Sequence, residues 1–102
     1  MRTKIINNVE YEIKSHHYNR TLAEIKIPKG WRLLKPSEAL MLWELEQFDD
    51  WFFVEQPIKE SKYVARFGTV SDWAVLDCNW DPSGCYAGLG VRLAKDLKKD
   101  GK

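Results

Sequence analysis

Residues 35–54 read KPSEALMLWELEQFDDWFFV, and this stretch decides the fold class. Its first part is helical. Pro36 suits a first helical position, where a missing N–H costs nothing. Glu38 in the first turn complements the helix dipole. The pattern predicts a helix over about residues 36–48, ended by Asp49 and Asp50. Trp51 to Val54 then reads as a strand. On a helical wheel Ala39, Leu40, Met41, Leu42, Trp43, Leu45 and Phe48 cover most directions, and only Glu44, Glu46 and Gln47 interrupt them. An all-round apolar helix is expected to be buried on more than one side. A sheet can cover one side. The N-terminal strands, a second copy of the chain or a partner must cover the rest.

Upstream, period-2 alternation predicts strands, with one face on a core and the other in water. Val9, Tyr11 and Ile13 alternate with Glu10, Glu12 and Lys14. Ala23, Ile25 and Ile27 alternate with Glu24 and Lys26. The polar segment between them, Ser15 to Arg20, reads as a hairpin loop. Asn7-Asn8 turns a short first strand, Thr3 to Ile6, into the second. Pro28-Lys29-Gly30 breaks the pattern before Trp31-Arg32-Leu33-Leu34.

Downstream, Lys62 to Phe67 places Tyr63, Ala65 and Phe67 on one face. Trp73 to Trp80 places Ala74, Leu76, Cys78 and Trp80 on one face and Trp73 and Val75 on the other. Asp81-Pro82-Ser83-Gly84 suits a type I turn. Leu89 to Ala94 reads as the last strand. The sum is an α+β domain, one main helix on a mostly antiparallel sheet. Gly30 to Lys35 matches Gly90 to Lys95 at four of six positions, which raises the alternative of two similar motifs, about 1–50 and 51–95, packed together. Residues 96–102 read as a flexible tail.

The chain has 102 residues, 44% hydrophobic and 30% charged, enough apolar material for one ordered domain. No apolar run approaches the ~20 residues of a membrane-spanning helix. Met1 to Lys4 lead into no signal-like apolar segment, so an intracellular location is expected. A net charge of +1 gives no global support for nucleic acid as a partner. Scarce Asn and Gln beside dense mixed charge is a thermophile-like bias.

No catalytic constellation emerges. There is no nucleophile elbow, no phosphate loop, and no cysteine with a nearby histidine base. Paired carboxylates such as Asp49-Asp50 read as helix-end charges. The reading is therefore no enzyme, no cofactor and no metal. Cys78 and Cys85 flank the Asp-Pro-Ser-Gly turn. A disulfide there would close an eight-residue loop worth ~2.5 kcal/mol, and two plain thiols are the other open reading. Both are preferred to a metal site, which lacks further ligands. His16-His17 read as solvated loop histidines pointing two ways, and Asn19-Arg20-Thr21 as an unused glycosylation pattern.

Aromatic surface is what remains. Trp43, Trp51, Phe53, Trp73 and Trp80 lie on the helix and the strands after it. Each could be core, but the set exceeds what a small domain can cover. Trp, Tyr and Arg are typical interface anchors. These residues are the candidate partner-binding set of a non-enzymatic protein-interaction module, which takes a peptide or partner protein in an apolar, aromatic-lined groove. A sugar or small-ligand site near Trp73, Trp80, Asp77, Asn79 and Asp81 is the alternative. Single-stranded nucleic acid beside Lys62, Arg66 and Arg92 is the third.

Two resemblances accompany this reading. Gly30-Trp31-Arg32-Leu33 with Pro36-Ser37-Glu38-Ala39 resembles the G-[FWY]-R-L-P-T-x-x-E-[AW] opening of formylglycine-generating-enzyme-like and C-type-lectin-like domains. Gly90-Val91-Arg92-Leu93 resembles their closing G-F-R-L. This implies the lectin-like alternative. The chain lacks that family's long middle and its catalytic cysteine region, so no catalytic residue carries over. In length, charge density and tryptophan content the chain also resembles small orphan proteins of crenarchaeal filamentous viruses. That implies a viral protein in the cytoplasm of a hot-living host.

Overall fold

A computed structural model describes residues 2–97. The elements are β1 (Thr3–Ile6), β2 (Val9–Glu12), β3 (Arg32–Leu33), α1 (Pro36–Glu46), β4 (Trp51–Val54), β5 (Val64–Val70), β6 (Trp73–Trp80), β7 (Leu89–Val91) and β8 (Leu93–Asp96). They form an α+β fold of one helix and two four-stranded sheets. The first sheet has the order β1-β2-β8-β3 and the second β6-β5-β4-β7. All pairings are antiparallel except β4 with β7.

Local chemistry explains the boundaries. Asn7 and Asn8 both take positive φ, 52° and 65°, the geometry a tight hairpin needs. The helix opens at Pro36, and the Glu38 carboxylate accepts the Lys35 amide at 2.8 Å. It closes about two residues earlier than the pattern suggests, because Gln47 adopts the left-handed conformation at φ 51°.

The helix does not bury more than one side. Only Ala39 and Leu42 are buried, while Leu40 and Leu45 remain exposed. Met41 and Trp43 are half-buried against the same core, so the uncovered apolar surface of the helix is confined to Leu40 and Leu45 among the described residues.

Three further expectations change. The strand expected over Ala23–Ile27 is a single 3-10 turn at Leu22–Glu24 followed by unpaired chain. Glu24 accepts the Thr21 amide at 2.8 Å, fixing the turn locally. Only Ile25 is buried there. The segment 15–20 is no hairpin loop either. His16 bridges Val91 through two backbone bonds of 2.9 Å, and Asn19 donates to Leu89, so this segment covers the edge of β7. Finally, the strand expected over Leu89–Ala94 is two strands broken at Arg92, where the chain passes from the second sheet into the first. Residues on both sides of the break are buried, since they run between the two core clusters.

Arg92 is 3% exposed at this junction. Its Nη2 donates to Asp50 at 3.1 Å, and its guanidinium lies 4.2 Å from the Phe48 ring. Ser15 Oγ donates to the same Asp50. Nearby, the buried Glu12 accepts the Leu93 amide at 2.8 Å and meets His16 Nε2 at 2.7 Å. Polar ties of this kind fix how the two sheets meet.

The two similar hexapeptides lie side by side, with Leu33 opposite Leu93 in antiparallel register. Lys95 and Asp96 belong to β8, and Arg32 binds Asp96 with two 2.9 Å bonds. The rest of the expected tail, after residue 97, lies outside the described residues.

Candidate functional site: an aromatic face and an open edge

Strand β6 is the outermost strand of the second sheet. Its register with β5 shifts between Val64 and Arg66: Val64 opposes Trp80, but Arg66 opposes Asp77. Two residues, Cys78 and Asn79, therefore face Ala65, the signature of a β-bulge. A bulge flips the alternation of everything beyond it. Trp80 moves to the face of Trp73, instead of joining Ala74 and Cys78. Gln56 Nε2 donates to the Tyr63 and Cys78 carbonyls at 2.9 and 3.0 Å, spanning both strands beside the irregularity.

Arg66 organises the resulting face. Its guanidinium lies 4.3 Å from the Trp51 ring and 3.9 Å from the Trp80 ring. Nε donates to Asp77 at 3.1 Å and Nη1 to the Tyr86 hydroxyl at 2.9 Å. Cation–ring contacts of this type are worth ~0.5–2 kcal/mol each. The Asn79 amide, then Arg66, hold the Asp77 carboxyl below its ordinary range. Trp51 lies flat on Gly68, where an added Cβ would come within 2.1 Å of the ring. Trp80 Nε1 donates to the Gly84 carbonyl at 3.2 Å. That carbonyl belongs to the Asp81–Gly84 turn, closed by a 2.8 Å backbone bond as the sequence predicts.

The five candidate aromatics separate. Trp51 and Trp80 are half-buried in this stack, and Trp73 is 74% exposed on the same face. Phe53 is fully buried and offers no surface: it packs on Ile25, Leu89 and Val91 under the first half of the chain. Trp43 lies on the helix side of the sheet. There it lines a cleft of about 230 Å³ with Gln47, Phe48, Asp49, Thr69, Ser71 and Asp72.

Cys78 and Cys85 stand as separate thiols, the first half-buried and the second exposed, so no bridge joins them. With the bulge at Cys78 and the turn closed by Asp81 and Gly84, the two cysteines are not cross-strand partners. His16 and His17 rings lie 4.4 Å apart, closer than two opposed loop side chains, because His17 takes φ 58°. Among the described residues no group of three or more His, Cys, Asp and Glu is placed to hold a metal ion, and no helix is long and apolar enough to cross a membrane.

Arg66, one of the three cations that the sequence offers for a basic groove, is the centre of the stack. The signal that could have found it is Gly68, a lone glycine inside a strand pattern, which marks a close approach by another group. Arg92 is buried, and Arg66 is half-buried against two indole rings, so neither stands as an open basic side chain of a groove.

No family model matches the chain, and no curated protein and no solved structure matches it.

Proposed function

We propose that the chain is a non-enzymatic protein-interaction module that takes an extended peptide, or a strand of a partner protein, along β6. The observation that carries this reading is Trp73, 74% exposed on an edge strand with no described neighbour on its outer side. A free edge presents unpaired N–H and C=O groups, and folds commonly blunt it with lysine, proline or a bulge. On β6 the bulge interrupts only Cys78–Asn79, and no lysine or proline stands between Trp73 and Asp77. A regular edge from Trp73 to Asp77 is left. A peptide adding there gains main-chain hydrogen bonds, and its alternate side chains reach the aromatic face. Arg66 already holds Trp51 and Trp80, so little side-chain ordering remains to be done on binding. Trp73 supplies the large exposed anchor.

The sugar-binding alternative needs a hollow beside the Asp81–Gly84 turn. The 230 Å³ cleft lies at the other end of β6, and Asp77 and Asp81 are engaged by Arg66 and Ser83. The interaction reading is the better supported.

The test is selection of displayed random peptides on the full chain. Enriched sequences bind the parent and the Leu45→Ala variant equally, and bind Trp73→Ala at least tenfold more weakly. Because Trp73 is exposed, that variant keeps its fold. No enrichment, or equal binding by Trp73→Ala, contradicts the proposal.

A further inference from the structure

The cleft lined by Trp43 has a chemistry of its own. It lies between the C-terminal end of α1 and the β5–β6 turn. Two carboxylates line it, Asp49 and Asp72, and no cation does. Neither forms a salt bridge among the described residues. The last turn of α1 carries no basic residue. Its Trp43 carbonyl is capped by Gln47, through the amide nitrogen at 2.8 Å and the neutral side chain at 3.2 Å. A cation at this end of the helix, Lys4, is held by Glu46 at 3.0 Å and does not line the cleft. Trp43 presents an indole wall that no internal cation covers, unlike Trp51 and Trp80. The two unpaired carboxylates and the free indole favour the same kind of charge.

We infer that this cleft holds one cationic side chain, an arginine or lysine, of the peptide that lies on β6. The inference rests on the reading of β6 as the docking edge. It adds the specificity of that edge: the cleft lies on the helix face beside the β5–β6 turn, opposite the face of Trp73, and a strand added to β6 turns its alternate side chains to that face. The chain builds the same pairing internally at Arg66, where a guanidinium is held by two indole rings and a carboxylate.

The test is a titration of the full chain with three short capped peptides, Gly-Arg-Gly, Gly-Lys-Gly and Gly-citrulline-Gly, read by amide and indole chemical shifts. A saturable shift of Trp43, Gln47, Thr69 and Ser71 is expected with the arginine or lysine peptide. The neutral citrulline peptide binds roughly tenfold more weakly. Binding weakens with added salt, since the carboxylates are at the surface. The Asp49→Asn, Asp72→Asn double variant keeps its fold and loses affinity by roughly five- to tenfold. Equal binding of citrulline, no effect of the double variant, or shifts elsewhere would overturn the inference. Trp73→Ala separates the two proposals. It leaves the tripeptide titration unchanged, whereas it weakens binding of the longer selected peptides at least tenfold. If the tripeptides fail while the longer peptides still need Trp73, only the cleft inference falls.

Discussion

Trp73 and Trp80 stand on the same face of the second sheet although they are an odd number of residues apart. Strict alternation would set them on opposite faces. The bulge at Cys78–Asn79 supplies the one extra residue that brings them together. Its effect reaches beyond β6. Trp80 can close on Arg66 from one side while Trp51 closes from the other, and Trp73 extends the same surface to the free end of the strand.

That stack depends on Gly68. A methyl group there would meet the Trp51 ring at 2.1 Å, with the ring pinned between the strand and Arg66. Gly68→Ala should therefore destabilise the chain by about 1–3 kcal/mol, the range for overpacking. It should also release Trp51 from Arg66. Urea unfolding followed by tryptophan fluorescence reads both effects: a lower midpoint and an altered native emission. An unchanged midpoint would mean that Trp51 has another resting place.

Much of this architecture is legible in the sequence. The Asn7-Asn8 hairpin, the start of α1 at Pro36, the whole of β4 and β6, and the Asp81–Gly84 turn follow from local turn chemistry and periodicity. Long-range effects are not legible. The Ala23–Ile27 alternation looks like a strand, but it has no partner in either sheet. The break at Arg92 reflects a crossing between sheets that no local pattern encodes. The bulge is invisible too, because Cys78 and Asn79 carry no bulge signature. Strict alternation consequently puts Trp80 on the wrong face, and the contacts that enclose Arg66 leave no trace in the local pattern.

Arg92 offers a second prediction. It is 3% exposed, with one carboxylate partner. Its Nε and Nη1 have no hydrogen-bond acceptor, so Phe48 and Asp50 are its main compensation. Removing one partner of a buried pair leaves an uncompensated charge and costs about 3–5 kcal/mol. Asp50 is partly exposed, so Asp50→Ala should lie near the lower end. Thermal unfolding of Asp50→Ala should show a large loss, and the double variant with Arg92→Met should regain part of it. A loss no larger than that of an ordinary surface carboxylate would contradict this role.

Tyr11 and Glu38 set the pH limits. Burial, then the Glu38 charge, push the Tyr11 hydroxyl from 10.0 up to about 12. A raised acid contributes stability that is complete below its unfolded value and lost as pH rises through the folded one. The loss should therefore fall between about pH 10 and 12 and reach roughly 2–3 kcal/mol. Glu38 behaves oppositely. Burial opposes its ionisation, but Arg32, at 2.8 and 2.9 Å, and the Lys35 amide outweigh that and hold it below 4.5. Its contribution is present above 4.5 and is lost on further acidification. Stability measured against pH should form a plateau that falls at both ends. Tyr11→Phe should flatten the alkaline fall and leave most of the acid one, because the Tyr11 hydroxyl, which donates to Glu38 at 3.1 Å, contributes least to holding that carboxyl down.

The cysteines give a simple chemical check. The intact folded chain, without reductant, should carry two free thiols, with Cys85 alkylated faster than Cys78 because it is the more exposed. Mass spectrometry after native labelling reads this directly. A chain that takes no label until reduced would contradict the separation of the two side chains.

The most direct measurement of the central claim is amide-resolved NMR of the full chain with a selected peptide. The account predicts shifts and slowed amide exchange along Trp73–Asp77, a shifted Trp73 indole, and little change at the exposed Leu40 and Leu45 of the helix. Changes gathered on Leu40 and Leu45, with β6 untouched, would contradict it.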